Sequence, residues 1–282
     1  MVTFPGNVKL SSLGLGTWRM GESAPRRKRE VGAVRAALEM GWRVIDTAEM
    51  YGDGGAEAVV GEAIGAAFAA GTLARDDLFV VSKVYPHNAS ATGTVAACER
   101  SLERLGLDQL DCYLLHWRGS MPLAETVGAF EGLRARGRIR HWGVSNFDVA
   151  DMQELVRVPG GDRCATNQIY YSLSARGPEF ALVPWLQARG MATMAYSPID
   201  QGALARNAAL DVIARRRGVS AAQLALAWLM AQTGVMAIPK AASEAHLREN
   251  FAAQEIALDA AEKAALDRAF PPPKRKTPLA MI

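Results

Sequence analysis

Cysteine and histidine are scarce, with 3 and 4 copies in 282 residues. Cys98, Cys112 and Cys164 are odd in number, scattered, set in apolar surroundings and without metal-ligand spacing. That excludes a disulfide framework and a thiolate metal centre, and makes them reduced core residues; no metal is expected. Excess charge of one sign is also missing, because 32 Lys and Arg face 29 Asp and Glu for a net +3. The basic runs "RRKR" (26 to 29) and "KRK" (274 to 276) are short, so nucleic acid is excluded as a partner. No long hydrophobic run exists. The best, "AAQLALAWLMA" (221 to 231), is too short to span a bilayer, and "MVTFPGNVKL" has neither an apolar signal core nor a cleavage site. A cytoplasmic protein without membrane contact is expected. A Ser/Gly/Pro linker and an obvious oligomerisation segment are both absent, so one domain spanning 1–282 and a monomer are expected. Finally, no G-x-G-x-x-G opens a helix after the first strand: "LGLGTW" runs into "RMGESAP", which counts against a doubly wound sheet.

What is present is alternation. Half of the residues are hydrophobic, enough for a large core. Eight short β-rich runs recur: "LSSLGLGTW", "WRVID", "LFVVSK", "CYLLH", "HWGVSN", "CATNQI", "ATMAYS" and "GVMAIPK". Between them lie stretches of helical periodicity, such as 30 to 40, 56 to 70, 94 to 105 and 123 to 136, each ending near a glycine. The strands are continuous apolar runs, as in a parallel sheet covered by helices. Eight β-then-α units predict an α/β fold, a (β/α)8 TIM barrel, preceded by an N-terminal strand or hairpin segment. An extra helix over about 259 to 269 and the non-helical Pro-rich tail "PPPKRKTPLAMI" are expected to follow.

Most strands end in a polar residue on the C-terminal side: Asp46, Lys83, His116, Asn146, Gln168, Ser197 and Lys240. A barrel gathers these at one mouth, the face where barrel chemistry sits. Isolated buried charges are costly, so the acid, the lysine and the histidine must satisfy one another or a ligand. Tyr51, on the loop after Asp46, hangs over the same mouth. Its phenol is a weak acid at neutral pH, and a neighbouring Lys83 is expected to lower its pKa, with Asp46 as counter-charge to the lysine. His116 is placed to hydrogen-bond a substrate oxygen. Taken singly each has a bland reading, Asp46 as a cap, Tyr51 as a surface ring, Lys83 as a solvated strand end and His116 as a core histidine. Trp142, Trp185 and Trp228 are read as packing.

"GLGTW", "DTAEMYG", "VVSKV", "LLHW", "GVSNF", "NQIYYS", "AYSPI" and "IPKAAS…REN", in this order, resemble the aldo-keto reductase superfamily over nearly the whole chain. The short loops make it similar to the bacterial branch with methylglyoxal-type and sugar-aldehyde reductases. The resemblance implies reversible carbonyl reduction with Tyr51 as proton donor, Lys83 and Asp46 tuning it and His116 orienting the carbonyl. It implies a nicotinamide cofactor, with Asn146 and Gln168 on the carboxamide, Ser145 close by, Tyr196 stacked on the ring, and Gly16 and Thr17 beside it. Ser197, Pro198, Ile199, Gly202 and Leu204 belong to the stretch around the pyrophosphate. Lys240, Ser243, His246, Glu249 and Asn250 stand at the adenosine end, and Trp18 and Trp117 wall the substrate pocket, with Met50 and Tyr85 near its border. Two positions depart from the pattern. Ala241 follows the phosphate-binding lysine where many members have Ser, and His246 stands where they have an arginine that would grip a 2′-phosphate. Arg248 is a second candidate cation. NADP(H) is favoured and NAD(H) possible. The short loop "WRGSMP" implies an open site for small carbonyls. Ser243 also reads as a helix N-cap.

Two other readings compete: a Schiff-base lyase built on Lys83, and a cofactor-binding barrel that acts as a sensor or subunit partner.

Overall fold

The computed structural model describes all 282 residues, Met1–Ile282. A short antiparallel hairpin, β1 (Val2–Phe4) with β2 (Val8–Leu10), precedes eight parallel strands. These are β3 (Leu15–Gly16), β4 (Val44–Asp46), β5 (Phe79–Val84), β6 (Leu110–Leu115), β7 (Ile139–Ser145), β8 (Thr166–Tyr170), β9 (Ala192–Tyr196) and β10 (Val235–Ile238), paired in sequence order. The barrel closes where the segment around β3 meets that around β10: Gly14 N–H donates to Ala237 O at 2.9 Å, and Gly16 N–H to Pro239 O at 2.9 Å. The first strand is shorter than the run "LSSLGLGTW" suggests, and at Gly14 and Gly16 the chain of Ile238 and Pro239 lies where a side chain would otherwise sit.

Helices wrap the outside: α1 (Ala24–Met40), α2 (Gly55–Ala69), α3 (Ala91–Leu105), α4 (Leu123–Ala135), α5 (Val149–Leu155), α6 (Leu182–Gln187), α7 (Ala208–Arg217), α8 (Ala221–Met230), α9 (Glu244–Ala252) and α10 (Ala260–Ala269). Local chemistry sets their ends. Gly41, Gly106 and Gly218 stop α1, α3 and α7 in the left-handed conformation, and Ser220 with Gln223, like Asp259 with Glu262, forms a reciprocal cap. The expected extra helix is α10.

Two apolar layers result. The larger lies between barrel and helices, and a smaller one fills the barrel from Val44, Val81, Cys112, Leu114, Met194 and Met236, with Val2 and Phe4 of the hairpin plugging its lower end. Phe4 meets Phe79 edge-on at 5.1 Å. All three cysteines are buried and free, and burial pushes the thiols of Cys98 and Cys164 up to about 12, which makes them packing groups. Buried Asp111 is neutralised at the lower rim by Arg75 at 2.7 Å. No helix is long and apolar enough to cross a membrane. The Pro-rich tail is non-helical, as its composition requires, but it does not leave the molecule: Leu279 packs on the core, and Met281 and Ile282 reach the barrel mouth.

Candidate active site

A cleft of about 670 Å³ opens at the C-terminal ends of the barrel strands. Asp46 ends β4 and Lys83 lies near the end of β5, both buried. Lys83 Nζ donates to both Asp46 oxygens at 2.9 Å, to Thr47 O at 2.7 Å and to Tyr51 Oη at 3.4 Å. Burial draws the Lys83 pKa down, and the Asp46 carboxylate works against that. With its N–H groups committed to these acceptors, the lysine is an anchored cation, which does not suit a Schiff-base nucleophile. Asp46 is in turn held across the barrel mouth, where Gln168 on β8 donates to Oδ1 at 2.7 Å. Gln168 therefore braces the Asp46 carboxylate, a contact its sequence position did not disclose.

Tyr51 sits on a loop that needs left-handed residues and a close backbone approach. Gly52, Asp53 and Gly54 all have positive φ, and a Cβ at Gly21 would lie 2.1 Å from the carbonyl carbon of Gly55. The two loops that carry Trp18 and Tyr51 thus cross backbone against backbone. The pKa of Tyr51 runs opposite to the sequence expectation. Burial, then the Asp46 carboxylate, raises it well above the ordinary phenol value, and the shorter hydrogen bonds of Lys83 go to Asp46 and Thr47 rather than to the phenol. The ring meets His116 edge-on at 5.7 Å. His116 is buried, and desolvation, aided by the Lys83 charge, holds its pKa well below the usual value, so the imidazole is neutral at pH 7. Its Nδ1 is enclosed without a hydrogen-bond partner.

The opposite wall is rich in amides and hydroxyls. Asn146 takes a left-handed φ of 60°, donates from Nδ2 to His116 O and Ser145 Oγ, and accepts from Tyr196 Oη at 2.9 Å. Tyr196, stacked on Tyr170 at 5.9 Å, is pushed up to about 12 chiefly by burial. Beyond it the segment Ser197–Gly202 is held in a tight form, with Ser197, Asp200 and Gln201 all at positive φ. Asp200 is pinned by the Tyr170 hydroxyl at 2.6 Å and by Ser174 at 3.0 Å.

Asp46, Tyr51, His116, Gly16, Trp18, Trp117, Ser145, Asn146, Gln168, Tyr196, Ser197, Pro198, Ile199, Gly202 and Lys240 all line this cleft, and Lys83 lies directly beneath it. Thr17, Leu204, Ser243, His246, Glu249 and Asn250 do not line it. Thr17 Oγ1 donates to Asp46 O, Leu204 is core, and Ser243 caps α9 by accepting the His246 N–H. Arg248 is spent on Glu244. Met50 borders the cleft, while Tyr85 instead packs on Trp117 at 5.1 Å. Arg19, Ile238, Met281 and Ile282 line it without having been singled out in the sequence, and Gln201 lines it within the stretch expected around the pyrophosphate. Ile238 precedes Pro239–Lys240 and was within reach of the strand-end argument. The tail residues carry no local signal, and they supply a wall on a site expected to be open.

A primary amide, hydroxyls and a stackable ring at one end of the cleft, with a lysine at the other, fit a nicotinamide dinucleotide: the first set suits a carboxamide and the lysine a phosphate. The chain matches the model of the Aldo/keto reductase family over residues 12–270. Methylglyoxal reductase YeaE of Escherichia coli (strain K12) is 53% identical over 287 residues, covering 100% of this chain and 99% of that protein. Glyoxal reductase of Bacillus subtilis is 34% identical over 88% of this chain and 85% of its own length. The crystal structure of an aldo-keto reductase from Klebsiella pneumoniae in complex with NADPH superposes with a TM-score of 0.94 at 49% identity, covering 100% of this chain and 99% of that one. By sequence and by fold, the chain belongs to the aldo/keto reductase family.

Proposed function

We propose that the protein reduces small aldehydes and ketones, reactive dicarbonyls such as methylglyoxal among them, with NADP(H) as the favoured hydride carrier. The observation that carries this reading is a single cleft. Tyr51 and neutral His116 face it together, Lys83 and Asp46 lie beneath, and the Asn146–Tyr196 wall continues toward Lys240. Relatives named for methylglyoxal and glyoxal reduction support the substrate class.

When bound, the dihydronicotinamide supplies a hydride to the carbonyl carbon. The chain's own work is to hold the carbonyl and deliver a proton. In this reading His116, being neutral, offers an N–H to the carbonyl oxygen without adding a charge that would repel Lys83. Tyr51 holds its proton at Oη. The raised pKa makes it a weak acid in the free protein, but the alkoxide that develops on the substrate is a far stronger base than a phenolate, so transfer is downhill once the oxygen is in reach. The Lys83 ammonium, 3.4 Å from Oη, then stabilises the phenolate that remains. Asp46 and Gln168 keep the lysine in place. Asn146 and Ser145 would hold the carboxamide and Tyr196 the ring face, the Tyr196–Asn146 hydrogen bond giving way to the cofactor. Trp18 and Trp117, with Met281 and Ile282 at the rim, would give the reacting carbon an apolar wall.

Every group around the cleft comes from one chain, which supports a monomer working as one domain; the reading also takes it to work in the cytoplasm. The test is consumption of NADPH and of NADH at 340 nm with methylglyoxal, glyoxal and a set of aldoses. Turnover with NADPH above NADH, greatest on the small dicarbonyls, is expected; absence of turnover on every carbonyl would overturn the reading and return the sensor alternative.

A further inference from the structure

The Tyr51 hydroxyl has one polar contact, the Lys83 ammonium at 3.4 Å, so the place of the phenol is set by the loop that carries it. Two glutamates bracket Tyr51 on this stretch, and both are buried rather than solvated. Glu49, before Tyr51, accepts the Tyr85 N–H at 2.8 Å and the Asn88 side-chain amide at 3.0 Å on one oxygen. Glu57, in the first turn of α2, accepts the Ser82 hydroxyl at 2.5 Å. Ser82 precedes Lys83 on β5 and faces outward where the lysine faces the barrel mouth, and Tyr85 follows directly after the strand. The loop is therefore fastened to the lysine's own strand on both sides of the lysine. Each carboxylate is backed by an arginine of α3: Arg100 reaches Glu49 at 3.3 Å and Arg104 reaches Glu57 at 2.8 Å, one helical turn apart on one face. The Arg104 guanidinium also lies against the loop itself, since a Cβ at Gly54 would sit 2.4 Å from its Nε. Buried ion pairs are weak stabilisers compared with apolar packing, because both charges must leave water. Two of them, set by one helix onto the two ends of one loop, instead fix a distance. The Glu57 charge also reaches the site: with Asp46, which acts more strongly, it opposes the burial that draws the Lys83 pKa down.

We propose that Glu49 and Glu57 are positioning residues that staple the Tyr51 loop to β5, with Arg100 and Arg104 of α3 as their splint, and so hold the phenol in register with Lys83 for proton transfer. Transfer depends on sub-ångström placement of Oη, whereas cofactor and carbonyl are held by other walls of the cleft, so a loosened staple lowers kcat and spares binding. This inference rests on the proposed carbonyl reduction, and one arm of its test therefore reads the loop without turnover.

The full chain is compared as wild type, as Arg100→Gln/Arg104→Gln, as Arg100→Lys/Arg104→Lys and as Arg27→Gln. Arg27 is the control, because it ties α1 to the same helix α2 through Glu62 at 2.9 Å, away from the loop. Amide hydrogen exchange by mass spectrometry follows residues 47–57 against peptides from β8 and β9, and NADPH affinity is read from tryptophan quenching. The double Gln variant is expected to exchange about tenfold faster over 47–57 with β8 and β9 unchanged. Its kcat with methylglyoxal is expected to fall about tenfold, with KM and NADPH affinity within about twofold of wild type. The double Lys variant is expected to recover part of both losses, and Arg27→Gln to match wild type in both. Arg100→Gln alone, on an exposed side chain and with the Glu57 pair intact, carries the test if the double variant does not fold, with the same pattern at about threefold. A normal kcat in the variants would overturn the staple. So would a fall in kcat without faster exchange in the loop, an equal fall in NADPH affinity, or an Arg27→Gln that loses as much. A wild-type protein that reduces no carbonyl would overturn the reductase reading instead, and exchange would then decide the staple: faster exchange confined to 47–57 upholds it, and unchanged exchange overturns it.

Discussion

At the scale of the residue, the site works by placing ordinary groups where their charges are unwelcome. Asp46, Lys83, Tyr51 and His116 were legible because each is a polar residue at the end of an apolar run, or one loop beyond it. Their coupling was only half legible. The sequence allows Lys83 to act on either neighbour, and the geometry spends it mainly on Asp46, which leaves Tyr51 a fully protonated phenol. Gln168 as a brace for Asp46 was hidden, because the contact spans 122 positions and the width of the barrel. His116 has a consequence for stability. Its folded pKa lies below the unfolded value of about 6.5, so below that pH the unfolded chain takes up a proton that the folded protein refuses. Stability therefore falls with pH through this window, and above it His116 adds nothing to the slope. By pH 5.5, about one unit below the unfolded value, the loss is on the order of 1 kcal/mol, a couple of °C in Tm for a chain of this size. His141, also held low by burial, adds in the same direction. His116→Gln is expected to flatten the decline in Tm between pH 7.5 and 5.5 by that amount. An unchanged decline would mean that His116 titrates normally in the folded protein.

At the scale of the element, loops decide what strands only aim. Glycines in "YGDGG" were visible, but their reason was not: the Tyr51 loop needs left-handed residues, and Gly21 and Gly55 must let two backbones touch. Gly21 and Gly6 share a positive φ, yet nothing lies within 4 Å of a Cβ at Gly6, whereas at Gly21 the Gly55 backbone does. Gly6→Ala is thus expected to cost about 1 kcal/mol for conformation alone, and Gly21→Ala to cost more, through displacement of the Tyr51 loop. Turnover should fall in Gly21→Ala while Gly6→Ala keeps it; equal thermal shifts and equal activity in the two variants would remove the crossing from the account. Some helix boundaries, by contrast, were readable: α2, α4 and α10 fall within about a residue of the expected stretches, whereas α1 begins at Ala24 rather than 30 and α5 to α9 were given no bounds. Gly41, Gly106, Ser220 and Asp259 are local signals that do not depend on the rest of the fold.

At the scale of the whole molecule, the barrel was legible for a simple reason: each of its β-then-α units announces itself within about thirty residues, and parallel strands buried on both faces read as continuous apolar runs. What escaped is non-local. The hairpin was expected, but that Phe4 would plug the lower barrel against Phe79 follows only from closure. The tail was recognised as non-helical, and its return to wall the cleft with Met281 and Ile282 joins the end of the chain to its most distant loops. The architecture thus assembles at one mouth a buried phenol, an anchored lysine beneath it, and a cleft that reaches Lys240. The central claim is that Tyr51 delivers the proton, and Tyr51→Phe tests it most directly, since the ring stays and only the hydroxyl goes. With methylglyoxal and NADPH followed at 340 nm, kcat is predicted to drop by about a hundredfold or more, while NADPH affinity, read from quenching of tryptophan fluorescence, stays near wild type. Near-normal turnover in Tyr51→Phe would contradict the account.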